Sequence, residues 1–216
     1  MSDPVNQPTK FRLFLRVQKE CLRRSVTPYV MYLMMSLLLL ACQAIPNVPL
    51  RLILSVLCIL AGMAYNTHLC YTYGKMHYDA YLTGAIHRQN ALFGIQSGGD
   101  HREEREFRPY KGFLIGFYTG MPALIFGILS GCFPNAAGTL LTLFVMFAGW
   151  AIIPVSWMKE LAHLNISNFV SIAFIAIPIL VSGFAYLWGA MKEKRVKLAE
   201  AERLEKVAEV GKKSQK

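Results

Sequence analysis

Five apolar runs, residues 26–44, 50–71, 112–133, 137–158 and 169–191, leave this chain few ways to fold. They hold no Asp, Glu, Lys or Arg apart from Arg51 at the edge of the second. Each is close to the roughly 20 residues an α-helix needs to cross a bilayer core. In hydrocarbon every backbone N–H and C=O must be paired internally, and unbroken runs of this length meet that condition as helices. With 54% hydrophobic residues among 216, the chain is too apolar for a soluble domain. The expected fold is all-α: a polytopic helical membrane protein of about five membrane helices, with an N-terminal interfacial amphipathic helix and a C-terminal polar helix.

The third run carries the strongest packing signal. Gly112, Gly116, Gly120, Ala123, Gly127 and Gly131 are spaced so that, at ~100° per residue, all fall within a single arc of about 100°. Such a bare strip is the surface through which membrane helices approach closely. The fifth run repeats the pattern more loosely with Ala173, Ala176, Gly183 and Ala190, and is the natural partner. The strip is read as a helix-packing face, a glycine zipper.

Outside the runs the chain is basic, with net charge +10. Residues 1–9 carry two prolines and are expected to be disordered. Residues 10–25 place Arg12, Arg16, Lys19 and Arg23 on one side of a helix, and Phe11, Phe14, Val17, Cys21 and Leu22 on the other. This is the pattern of a helix lying in the interface with its cations among lipid headgroups; a charged flank orienting the first span is the alternative. A polar loop, 72–111, separates the second and third runs, and a basic helical tail, 192–216, ends the chain. The membrane domain is residues 26–191. Leu39-Leu40-Ala41-Cys42 resembles a lipobox, but the run is long for a signal peptide and further spans follow, so no cleavage is expected.

The cations create a topological conflict. Six Lys or Arg lie in residues 10–24, six in the loop and nine in the tail, while the other connections hold only Arg51 and Lys159. The positive-inside rule puts both termini and the loop in the cytoplasm, which five crossings cannot satisfy. Either the tail lies outside, or one C-terminal run is re-entrant or lies flat, and Gly149 and Pro154 make the 137–158 run the weakest candidate for a straight span. Five spans remain the expectation on length.

Chemistry-bearing residues are few. His68, Asp79, His87, Asp100 and His101 gather in and beside the polar loop as a loose polar cluster, without metal-ligand spacing. Residues 103–108 read EEREFR, which resembles the EExxxR string of CAAX-protease-like membrane peptidases. That family needs a later FxxxH motif, and here Lys159 stands where the Phe before His163 would be, so no catalytic role follows. The five cysteines form no CxxC pair. No catalytic, cofactor or metal residues are assigned.

These observations favour a non-catalytic accessory or scaffolding subunit packing through the glycine face. The alternatives are a transporter or channel subunit, or a membrane enzyme acting at the cytoplasmic face. The expected partners are anionic headgroups and a membrane protein or a second copy of the chain. Nucleic acid is not expected, because no aromatic-basic motif accompanies the charge. The expected location is the plasma (inner) membrane, with a cytoplasmic N-terminus.

Overall fold

The computed structural model describes residues 10–83, 107–133, 137–162 and 170–214. All regular structure among them is helical: α1 (Lys10–Gln43), α2 (Val48–Thr83), α3 (Lys111–Cys132), α4 (Ala137–Ala162), α5 (Val170–Ala173) and α6 (Ala176–Ser214). The chain is a polytopic helical membrane protein, and by length and apolar composition α1, α2, α3 and α4 each suffice to cross a bilayer.

The residues expected to form a separate interfacial helix, 10–25, run unbroken into the first span, making α1 a single helix of 34 residues. Val17 and Cys21 turn into the bundle, whereas Phe11, Phe14 and Leu22 are exposed. α2 likewise continues through Gly74 to Thr83, carrying the second span well past its apolar run.

Two apolar layers divide the bundle along its length. The near layer joins Val17 and Cys21 of α1, Cys70 of α2, Ile115 of α3 and Ala185 of α6. The far layer joins Tyr32, Met35 and Leu39 of α1, Cys58 and Ile59 of α2, Ala123 of α3, Ile175 just before α6, and Ile179 of α6. Four helices therefore traverse both layers: α1 and α3 run near to far, α2 and α6 far to near.

α4 does not traverse them. Its core residues from Phe144 to Trp157 all belong to the far layer. Its C-terminal Glu160 receives two hydrogen bonds from Arg51, which stands beside the α1–α2 turn at the far end, at 3.0 and 3.2 Å. The helix is broken at Ala148 (φ −142°, ψ 32°), six residues before Pro154, whose missing N–H also leaves the Trp150 carbonyl without its helical donor. The freed Trp150 N–H donates to Ser36 Oγ at 3.2 Å, and that hydroxyl donates onward to the Tyr32 carbonyl at 2.9 Å. Irregular backbone at this depth is thus shielded by protein, as it must be. Four helices cross the bundle rather than five, and both ends of α4 lie at its far end. Trp150 is 5% exposed and packs on Tyr32.

The last run is interrupted at Phe174–Ile175. Pro178 cannot donate to the Phe174 carbonyl, which instead accepts from Ile177 N–H at 3.0 Å in a tighter turn. α6 then extends 39 residues, ~58 Å, and leaves the bundle as an exposed helix.

The glycine strip of α3 lies against α5 and α6. A methyl at Gly112 would come to 2.5 Å from Tyr186 Cβ, at Gly116 to 2.6 Å from Ile179 Cα, at Gly120 to 2.9 Å from Ile175 Cγ2, and at Gly127 to 3.0 Å from Ile172 Cγ1. Ala123 is buried in the far layer. α2 and α6 approach as closely through Gly74 and Gly189, each facing the other helix's backbone at Tyr186 and Tyr71.

Candidate functional site

α1 carries one carboxylate among six cations, and the fold draws it into the near end of the bundle. Glu20 Oε2 accepts from Lys111 Nζ at 2.9 Å, and Oε1 accepts from Arg24 Nε at 3.1 Å. His77 of α2 places Nε2 3.4 Å from the same Oε1, without a hydrogen bond in angle. Its Nδ1 is 2.8 Å from the Tyr186 hydroxyl of α6. Lys111 and Tyr186 are fully buried and His77 is 2% exposed. One chain of contacts therefore ties the near ends of α1, α2, α3 and α6.

The local sequence explains this placement. Lys111 is the first residue of α3, where the positive end of the helix dipole disfavours a cation. Glu20 answers both the ammonium and the helix end. The four-carbon Lys stem is buried, so its charge needs a partner inside the protein. Phe107 stacks on the Tyr186 ring at 5.6 Å and 8°, and meets Tyr78 edge-on, sealing the node on that side. Arg24 lies 4.8 Å above the Tyr73 ring, so the second cation on Glu20 also rests on an aromatic face.

Beside the node a cleft of about 420 Å³ opens between α1 and α2. Glu20, Arg23 and Arg24 form its α1 wall, and Tyr73, Met76 and His77 most of its α2 wall. Deeper in the bundle a second polar pair, Asn66 Nδ2 donating to Ser182 Oγ at 3.0 Å, joins α2 to α6. Among the described residues no three His, Cys, Asp or Glu converge as for a metal.

The residues singled out from sequence are placed as follows. Arg16, Lys19 and Arg23 are exposed along α1, and Arg12 shares that helix. Gly112, Gly116, Gly120 and Gly127 meet α5 and α6, and Gly131 lies in the last turn of α3. Of the polar cluster, His68 is exposed and Asp79 pairs with Lys197 of α6 at 3.6 Å. Glu200 and, after it, Asp79 raise the Lys197 ammonium above its ordinary pKa. His87, Asp100 and His101 lie outside the described residues. Of the node, only His77, one of the polar residues of the 72–111 segment, is a candidate on sequence; Glu20, Lys111 and Tyr186 are not. The available signal was Glu20 itself, the only acidic residue between Asp3 and Asp79.

Fold and node together define a multi-pass helical membrane protein with a buried ionic cluster at one end. No family model, curated protein or solved structure matches the chain.

Proposed function

We propose that the chain is a non-catalytic accessory subunit of a membrane assembly, with both termini and the 72–111 loop in the cytoplasm of a plasma (inner) membrane, which offers α6 to a partner as a rigid arm. The observation that carries this reading is the arm. α6 runs without interruption from the bundle to Ser214, and residues 192–214 add ~35 Å of helix beyond the apolar run. The arm is anchored at its base by Lys75–Glu193 at 3.3 Å and Lys197–Asp79. Beyond that, Leu204 and Val207 are each 70% exposed. A helix of this length standing alone in water is marginal, and an assembly that packs on it supplies what the bundle does not.

The reading departs from packing on a partner through the glycine face, because that face already lies against the chain's own α5 and α6. The cytoplasmic placement rests on the cations: the near end holds the basic N-terminal segment and the arm, and four traversing helices return the chain to the side it started from.

The test is deletion of residues 198–216. Blue-native electrophoresis of solubilised membranes is expected to show the full chain in a complex larger than its monomer. The shortened chain should migrate as a folded monomer with an unchanged unfolding midpoint. A full chain found only as a monomer, or a complex indifferent to the deletion, overturns the proposal.

A transporter is the second reading, favoured by the node, since ionisable groups buried in a membrane bundle commonly mark coupling sites. The node lies at the near end only, and the far layer above it is packed with apolar side chains. Proton or ion flux in liposomes that hold the purified wild-type chain, absent from protein-free liposomes, would decide for transport.

A further inference from the structure

The node leaves more positive charge at the near end than its one carboxylate balances. Lys111 and Arg24 both bond Glu20, and Arg23, on the same cleft wall, has no ion pair among the described residues. His77 closes the inner side of the cleft: its Nδ1 meets the Tyr186 hydroxyl at 2.8 Å and its buried Nε2 faces Glu20 Oε1 at 3.4 Å, so the ring belongs to the node and lends the cleft a wall. A cleft with two guanidinium groups in its walls, one of them without an ion pair among the described residues, suits an anion with several acceptor oxygens, which guanidinium groups bind in a bidentate manner.

The cleft also stands at a telling depth. Arg23 and Arg24 directly precede the first apolar run, at the level where headgroups begin. From Arg23, offsets of 11 and 15 residues lead to Met34 and Leu38 on the same strip of α1, within about 60° of arc. Both are exposed, at 47% and 56%. An amphiphile with its phosphate in the cleft has an apolar path for a chain along that strip.

We infer that the cleft between α1 and α2 is a binding site for a phosphate mono- or diester, held by Arg23 and Arg24 with His77 at its inner wall. The inference is independent of the arm and rests on the bundle lying in a bilayer. Basic clefts between membrane helices at the cytoplasmic side are a recurring way of holding anionic headgroups. The site differs from the diffuse attraction of Arg16 and Lys19 because it has a shape and a floor.

The test is native mass spectrometry of the full chain released from nanodiscs containing phosphatidylcholine and phosphatidic acid. Incorporation into the discs is scored first, and failure there counts against the membrane reading, not the site. The wild type is expected to retain one phosphatidic acid with at least tenfold preference over phosphatidylcholine. Arg23→Gln should weaken that preference several-fold, and Met76→Trp, which fills the cleft without changing charge, should abolish it. Arg16→Gln/Lys19→Gln, which removes two exposed charges outside the cleft, should leave it intact. Displacement of the lipid by millimolar inorganic phosphate would assign the site to a soluble phosphate, and resistance would assign it to a headgroup; both support the site. No preference in the wild type, or equal loss in Arg16→Gln/Lys19→Gln and Met76→Trp, overturns it.

Discussion

Replacing Glu20 with Gln should be among the most destabilising single changes in this chain. Lys111 is fully buried and its ammonium lies 2.9 Å from Glu20 Oε2. Without the carboxylate, a buried positive charge stands at the positive end of α3, which costs about 3–5 kcal/mol. Arg24, with a side chain 23% exposed, can turn toward water and adds little to the penalty. Lys111→Met should cost less than Glu20→Gln, because Glu20 keeps Arg24 at 3.1 Å. The double variant removes both charges, so its cost should fall short of the sum of the singles by roughly 2 kcal/mol, within the range of contacting pairs. The assay is an unfolding titration in mixed micelles, with all four chains compared at one lipid-to-detergent ratio. A Glu20→Gln cost below about 1 kcal/mol, or singles that add in the double, would refute the account of the node.

Three further outcomes follow. Gly116→Leu should drive α3 off α6 and lower the stability of the monomer by at least about 1–3 kcal/mol, read in the same titration, because the atoms it meets are backbone of Pro178 and Ile179. Ser36→Ala should cost about 1–3 kcal/mol by orphaning the Trp150 N–H, whereas Ser156→Ala, whose hydroxyl bonds a carbonyl three residues back in its own helix, should cost less than 1 kcal/mol. Tyr186→Phe keeps the ring on Phe107 but removes the partner of His77 Nδ1, and should cost about 1–2 kcal/mol with an unchanged complex on blue-native gels.

Much of the fold was legible in the apolar runs. Their length specified helices, and the glycine spacing identified the strip on which α3 meets α5 and α6, because both follow from period and side-chain size alone. The crossing count was not. Length gave the 137–158 run the same standing as the others, and what keeps it in the far half is a break at Ala148 satisfied by Ser36, a residue more than a hundred positions away. The charge asymmetry asks for an even number of crossings, and Gly149 and Pro154 lie at and beyond the break in α4. The node was illegible for a related reason. Glu20 looks like one more charge on a basic surface segment until α1 is continuous and Lys111, 91 residues on, is brought to it. His77 and Lys111 both belong to the 72–111 segment, but to the helices at its two ends, and the groups that hold them, Glu20 and Tyr186, are far off in sequence.

Four traversing helices, with α4 returning to the end it came from, is the claim on which the shared orientation of the two termini depends. Single-cysteine chains test it directly: one retaining only Cys132 at the far end, one with Lys10→Cys, one with Ser214→Cys, each challenged with a membrane-impermeant maleimide in right-side-out and inverted vesicles. The account predicts that the Lys10→Cys and Ser214→Cys chains label from the same face and the Cys132 chain from the opposite one. Labelling of the Lys10→Cys and Ser214→Cys chains from opposite faces would contradict it.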